Sequence, residues 1–206
     1  KTGMKLISAA KLRAALNWES AISALSQGHL GAHPLVQDLL LNNGAFSLFG
    51  RGVILPGQGA GMKIAAIHPP NLSQTEPVPA EHAAFAVIGE NSKQICAIVD
   101  GTELTRWKTA ADSALGSRLL SRVDSETLLV IGAGPIAAAL AEAHLHVRPA
   151  IRTVLLWNRS PTRLEPMQQA LEATGKTVQI VDDLTGAIAQ ADIISSATGT
   201  KEPLIT

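Results

Sequence analysis

Two lysines and one glycine turn hold most of the chemistry in this sequence. Lys63 stands inside the apolar run Met62-Lys-Ile-Ala-Ala-Ile67, where an ammonium is costly unless it reaches a cavity or a partner. Lys108, in Trp107-Lys-Thr-Ala-Ala111, is expected in the first turn of a helix aimed at the next domain. Gly132-Ala-Gly134-Pro-Ile-Ala137 has the G-x-G-x-x-A spacing of a dinucleotide site. Gly132 can take turn dihedrals that a Cβ forbids, Gly134 lets a pyrophosphate approach the backbone, and Ala137 lets the helix close on the strand. The N–H groups and dipole of the helix opening with Pro135 and Ile136 favour an anion there. A dinucleotide site makes hydride transfer the default chemistry and leaves the substrate open.

Composition removes several other chemistries. The chain has no tyrosine, so a Tyr–Lys proton relay is excluded. Its one cysteine excludes a multi-cysteine metal centre, and no metal is expected. Cys96 sits in Ile95-Cys-Ala-Ile-Val99 and is expected to be a buried, inert thiol. Without an intramolecular disulfide, a reducing cytoplasm fits the chain. Lys+Arg and Asp+Glu are each 17, leaving no basic field for nucleic acid or an anionic membrane. No secretory signal or uninterrupted membrane-length apolar segment occurs. With 206 residues, 46% of them hydrophobic, a sizeable core in one large or two small domains is expected. Met4 is expected to be the natural start, with Lys1-Thr2-Gly3 a vector remnant.

The elements that position these residues change character along the chain. Residues 8–28 carry helical spacing, with Ser8 capping one helix and Trp18-Glu-Ser opening a second. His29–Asn42 receives no strand, and His29 and His33 read as surface or turn residues. Phe46–Phe49, Gly52–Leu55 and Met62–Ile67 read as strands, with 57–61 a flexible loop and 71–79 a proline-rich loop. Ala83–Ile88 and Gln94–Val99 form a predicted hairpin. Asp100-Gly101 reads as a turn and 105–122 as a helix. From 128 onward strands and helices alternate: strand 128–131, helix 135–147, strand 153–157, helix 161–174, strand 177–181, helix 184–189, strand 192–196. Such alternation implies a parallel sheet. The expected class is α/β, an N-terminal α+β domain over 1–123 followed by a Rossmann-type domain over 124–206.

In such a sheet the ribose is read at the end of the second strand. There Trp157 is followed by Asn158-Arg-Ser160, with no carboxylate before Glu165. Arg159 offers a guanidinium to a 2′-phosphate, with Asn158 and Ser160 as further donors. This favours NADP(H), with NAD(H) possible. Ser196-Ala-Thr198, at the end of the fourth strand, is small and polar and faces the crevice where the ligand should lie.

The sequence resembles the ornithine cyclodeaminase/mu-crystallin family. The matching pieces are Gly61-Met-Lys-Ile-Ala65 with Pro70-Asn71, Val99-Asp-Gly-Thr-Glu-Leu-Thr105 and Lys108-Thr-Ala-Ala-Asp-Ser-Ala114. The glycine turn, Trp157-Asn-Arg-Ser160, Ala191-Asp-Ile-Ile194, Ala197-Thr198 and Glu202-Pro203 complete the series. The resemblance implies a substrate-binding and dimerisation domain before the Rossmann domain, usually in a homodimer. It implies an enzyme that reduces cyclic imino acids or ketimines, oxidises L-amino acids, or cyclises ornithine to proline with loss of ammonia. A non-catalytic, NADP(H)-regulated binding protein of the mu-crystallin kind is a further expectation. Lys63 falls on the family's active-site lysine, which contacts the substrate carboxylate and assists proton transfer. Lys108, beside Thr109, falls where the family usually has an arginine that binds carboxylate and cofactor phosphate. Lysine lacks that arginine's planar two-point contact. The family's early Pro-x-Arg reads Pro34-Leu-Val36 here, and Arg51, on a neighbouring strand, is read either as its substitute in substrate binding or as a surface or salt-bridged residue. Four parallel strands precede Thr206, so a continuation of about a hundred residues is expected, holding the family's catalytic aspartate.

Overall fold

The structure, a computed structural model, describes residues 3–76, 78–200 and 202–205; Lys1 and Thr2 of the expected remnant lie outside them. The chain divides into two compact units. One comprises Lys1–Asn17 with Ser26–Thr105, the other Trp18–Leu25 with Arg106–Thr206. The sequence places a boundary near Asp124, where the parallel sheet begins. Packing divides the chain earlier, because Ile22 and alanines 110, 111 and 114 are buried in the second unit's core.

The first unit is a six-stranded mixed sheet in the order β1-β6-β5-β4-β3-β2. Its strands are β1 (Lys5–Ile7), β2 (Leu35–Asn43), β3 (Phe46–Leu55), β4 (Gly59–Ile67), β5 (Glu81–Gly89) and β6 (Ile95–Asp100). β1 runs parallel to β6 and every other pair is antiparallel. Helix α1 (Ala9–Ala15) is capped by Ser8, whose side chain accepts from the Lys11 N–H. Its Leu12 packs with Ala97 and Val99 on one face of the sheet, joined by Ile7, Phe85 and Val87.

Several expectations change here. β2 pairs along its whole length with β3, although 29–42 had no strand; its run of three leucines lacks the alternation that marks a half-buried strand. β3 is one ladder across Gly50-Arg51-Gly52, where two strands were expected. The expected flexible loop 57–61 contributes Gly59–Gly61 to β4, because Gly61 leaves the space that the Phe85 ring occupies. Asp100-Gly101 opens helix α3 (Gly101–Leu120) instead of making a turn. The Asp100 carboxylate accepts from the Glu103 N–H at 2.8 Å, capping the helix. A Cβ at 101 would strike the backbone of Ala83 and Ala84. Cys96 is exposed, not buried: it alternates with buried Ala97 and points to the sheet's other face.

The second unit is a fully parallel four-stranded sheet in the order β10-β7-β8-β9. Its strands are β7 (Thr127–Ile131), β8 (Thr153–Trp157), β9 (Thr177–Ile180) and β10 (Ile193–Ser196). The alternation of β7 is read out on two sides. Leu128 and Val130 pack against α4 (Pro135–Val147) and α5 (Glu165–Glu172), while Leu129 and Ile131 pack with Ala187 of α6 (Leu184–Gln190). A 3-10 turn, Pro161–Leu164, precedes α5. Alanines 110, 111 and 114 let α3 approach Ala139, Leu140 and Ala143 of α4, and Ile22 of α2 (Trp18–Leu30) completes this cluster.

Arg148, just past α4, is buried. Its guanidinium donates to the carbonyls of Ser117, Arg118, Ser121 and Arg122 at 2.7–3.0 Å, and to that of Val147. It serves the Arg118 and Ser121 carbonyls at the end of α3 and adds to the bonds that the Ser117 and Arg122 carbonyls already accept from Ser121 and Ser125, with a cation at the negative end of the helix dipole. Arg148→Leu keeps the bulk but takes this donor from the part-buried Arg118 and Ser121 carbonyls. It should lower stability by about 3 kcal/mol, measured by urea unfolding against the parent chain.

Candidate functional site

The order β10-β7-β8 brings three of the expected cofactor segments to one edge. Ser196 is registered with Ile131, and Ile131 with Trp157. The glycine turn, Asn158-Arg159-Ser160 and Ala197-Thr198 therefore leave the sheet side by side at the carboxyl ends of its strands. This is where open α/β sheets bind ligands. Gly132 has φ +125, and a Cβ there would overlap the Ala197 carbonyl oxygen. Its N–H donates to the Trp157 carbonyl at 2.9 Å, and the Ala197 N–H donates to Ile131 at 2.8 Å. The turn is thus stitched to both neighbouring strands.

Gly134 caps α4 with no side chain on the first N–H groups, and a Cβ built on it meets nothing within 4 Å. Pro135 follows at the first helical position, which leaves the next free N–H on Ile136. These features leave an open, donor-lined surface at a helix start, suited to a phosphate. Asn158 donates its side-chain N–H to the Ser160 carbonyl at 2.9 Å, holding the segment that carries Arg159. No carboxylate shares an ion pair with Arg159 among the described residues.

β10 is held from beneath. His144 of α4 is buried, with Ser117 Oγ 2.9 Å from Nδ1 and Ser195 Oγ 3.1 Å from Nε2. Burial pulls its pKa from 6.5 down to about 4, so the imidazole is neutral at pH 7 and links α3, α4 and β10 through two hydroxyls. The Asp192 carboxylate accepts from the Glu126 and Thr127 N–H groups, which lowers its pKa and ties β10 to the start of β7.

Lys108 lies two turns into α3, not in the first turn, because the Asp100 cap starts the helix earlier than expected. Its ammonium pairs with Asp112 at 2.5 Å, one turn on. Thr109 is next to it, immediately before the buried alanines of the α3–α4 contact.

In the first unit Lys63 and Arg51 are directly opposite each other on β4 and β3, with Asp38 opposite Arg51 on β2. All three therefore share a face. Lys63 reaches Glu81 at 3.3 Å. Arg51 makes a two-point contact with Asp38, 2.7 and 2.6 Å, and lies over the Phe49 ring. The Arg51 guanidinium holds the Asp38 carboxyl below its ordinary range. Sequence reasoning missed Asp38 and Glu81 as partners; strand alternation points to them only once the register is known.

A family model described as the ornithine cyclodeaminase/mu-crystallin family matches residues 18–206. A Delta(1)-pyrroline-2-carboxylate reductase of Paracoccus denitrificans (strain Pd 1222) is 36% identical over 190 residues, 92% of this chain and 60% of that protein. The structure of Thermococcus litoralis Delta(1)-pyrroline-2-carboxylate reductase in complex with NADH and L-proline superposes with a TM-score of 0.87 at 21% identity, over 98% of this chain and 64% of that one. That likeness concerns the fold. A lysine cyclodeaminase structure gives a TM-score of 0.84 at 26% identity, over 98% of this chain and 63% of that one. The chain therefore spans about three fifths of the length of these proteins.

The neutral His144 makes stability depend on pH. Its folded value of about 4 lies below the ordinary 6.5, so the unfolded chain takes up a proton first as pH falls. The contribution of the neutral ring is complete above about pH 6.5 and is lost between there and pH 4, up to ~3 kcal/mol. His144→Gln removes this titration and keeps a donor and an acceptor for the two serines. Its melting temperature should fall less than the parent's between pH 7 and pH 4.5.

Proposed function

The chain belongs to the ornithine cyclodeaminase/mu-crystallin family, and on that premise we propose that it serves NADP(H)-dependent reduction of a cyclic imino acid of the pyrroline-2-carboxylate kind. The observation that carries this reading is the edge where the uncapped start of α4 adjoins Arg159, with no carboxylate before Glu165. Gly132, Gly134, Pro135 and Ile136 fit the pyrophosphate, because the turn is open where a Cβ would project from Gly134. Asn158, Arg159 and Ser160 fit a 2′-phosphate. Ser196, Ala197 and Thr198 fit the far side of the crevice.

A reduced nicotinamide held at this edge would supply the hydride for the α-carbon of a C=N bond, and the nitrogen would take a proton to complete the amine. The Lys63 ammonium binds the substrate carboxylate and assists that proton transfer. Lys108 takes a carboxylate or a cofactor phosphate as a single-point cation. Both lysines already hold a carboxylate, Glu81 and Asp112, so a ligand acid exchanges with a resident one. Arg51 contributes to substrate binding in the same way, by leaving Asp38.

A cyclodeaminase is the second reading, favoured by the likeness to lysine cyclodeaminase. That reaction returns its cofactor to the starting state within each turnover and suits a retained NAD(H). Asn158-Arg159 points away from that cofactor.

The partner we propose is a second copy of this chain. Leu6, Leu35, Leu39, Leu41, Ile54 and Ile64 are each at least half exposed and share the sheet face opposite α1. So large an apolar face on one sheet is a protein-contact surface. The single cysteine is in keeping with a reducing cytoplasm.

NADPH oxidation should be seen with pyrroline- or piperideine-2-carboxylate and not with ornithine plus NAD. Lys63→Ala should lower that rate at least a hundredfold; full activity in this variant would remove Lys63 from the chemistry. By sedimentation the chain should run as a dimer, and Ile64→Glu should run as a monomer.

A further inference from the structure

Seven of the nine arginines in this chain hold an ion pair or a hydrogen bond through their side chains. Among the described residues the two that hold neither are Arg159 and Arg163. They lie four residues apart around the same short turn: Arg159 in the segment that leaves β8, Arg163 within the 3-10 turn Pro161–Leu164. Two guanidiniums on one short turn, neither held by a carboxylate, are positions that an added anion would stabilise.

Arg163 also lines a cavity of about 490 Å³ together with Ala133, Gly134 and Pro135 of the glycine turn. The remaining wall is largely apolar, formed by Ala138 of α4 and by Pro166 and Met167 of α5. The carboxylate in that lining, Glu142, is bound to Arg106 at 3.0 Å. The opening of α4 and an uncompensated guanidinium therefore share one cavity.

We propose that Arg163 is a second specificity-determining residue of the nucleotide site, acting with Arg159 on a ribose 2′-phosphate. The inference rests on the NADP(H) reading and extends it. A phosphate monoester carries close to two negative charges at pH 7 and three acceptor oxygens, more than one guanidinium satisfies. Arg159 takes one side from the end of β8, and Arg163 takes the other from one turn further on. Asn158 keeps the intervening backbone in place through its bond to the Ser160 carbonyl. A nucleotide without the 2′-phosphate leaves both arginines to solvent, so the pair rewards the phosphate and is indifferent to the rest of the ligand.

The test measures binding by calorimetry, with no turnover required, using 2′,5′-ADP and 5′-ADP as probes on the chain itself. The parent should bind 2′,5′-ADP more tightly. Arg163→Ala should weaken 2′,5′-ADP about tenfold and leave 5′-ADP unchanged. Arg163→Lys should fall between the two, since it keeps the charge and loses the fork. The Arg163 side chain is exposed and unpaired, so the melting temperature without nucleotide should not move. An Arg163→Ala variant that binds both probes as the parent does, while Arg159→Ala loses the preference, overturns the role of Arg163 and leaves the NADP(H) reading intact. Equal weakening of both probes overturns it too, because Arg163 would then act on the shared part of the nucleotide. A parent without preference for the 2′-phosphate defeats the NADP(H) reading, and this inference with it.

Discussion

Gly132 and the Ala197 carbonyl approach so closely that no side chain fits between them. The second unit depends on this approach. It lets β10 run beside β7 up to the point where both strands end, and it keeps the chain's exit from β7 in a left-handed conformation that glycine alone takes readily. From there α4 begins with its N–H groups uncovered. A methyl group at 132 would push β10 away or redirect α4. Either change would separate the glycine turn from Asn158-Arg159 and from Ala197-Thr198.

Buried polar groups hold this arrangement together with its apolar core. Arg148 sits at the end of α3 with only carbonyl and hydroxyl oxygens for company, so its charge is balanced by a helix end and not by a carboxylate. His144 joins Ser117 to Ser195 and stays neutral because charging it would leave an ion in the core. Both residues belong to the packing of α3 and α4, which carries Lys108 and Thr109 on α3, and His144 extends it to β10, which ends at Ser196.

The first unit works with a different balance. One face of its sheet carries Asp38, Arg51 and Lys63 on neighbouring strands, with Glu81 in reach of Lys63. Opposite charges lie side by side on these partly exposed strands, and Arg51 lowers the Asp38 pKa. The other face is apolar and bare.

The parallel half was legible in the sequence nearly residue by residue. β8 and α4 begin and end where the apolar runs and the Gly-Pro boundary put them, because a strand buried on both faces must be continuously apolar. The glycine spacing and the absence of an acid after Trp157 were likewise local facts. The antiparallel half was less legible. β2 has exposed residues throughout and no alternation to reveal it, and within 57–61 Gly61 makes room for the Phe85 ring in a strand that starts at Gly59. Cys96 was misjudged because an apolar run does not say which residue faces the core. What only the tertiary structure decided were the partners: Arg51 with Asp38, Lys63 with Glu81, Arg148 with the end of α3, and Arg163 with the cavity at Gly134. Each depends on strand register or helix packing between segments that are distant in the chain or meet only across a turn. Residue types announce which groups need a partner, and only the fold says which partner each one has.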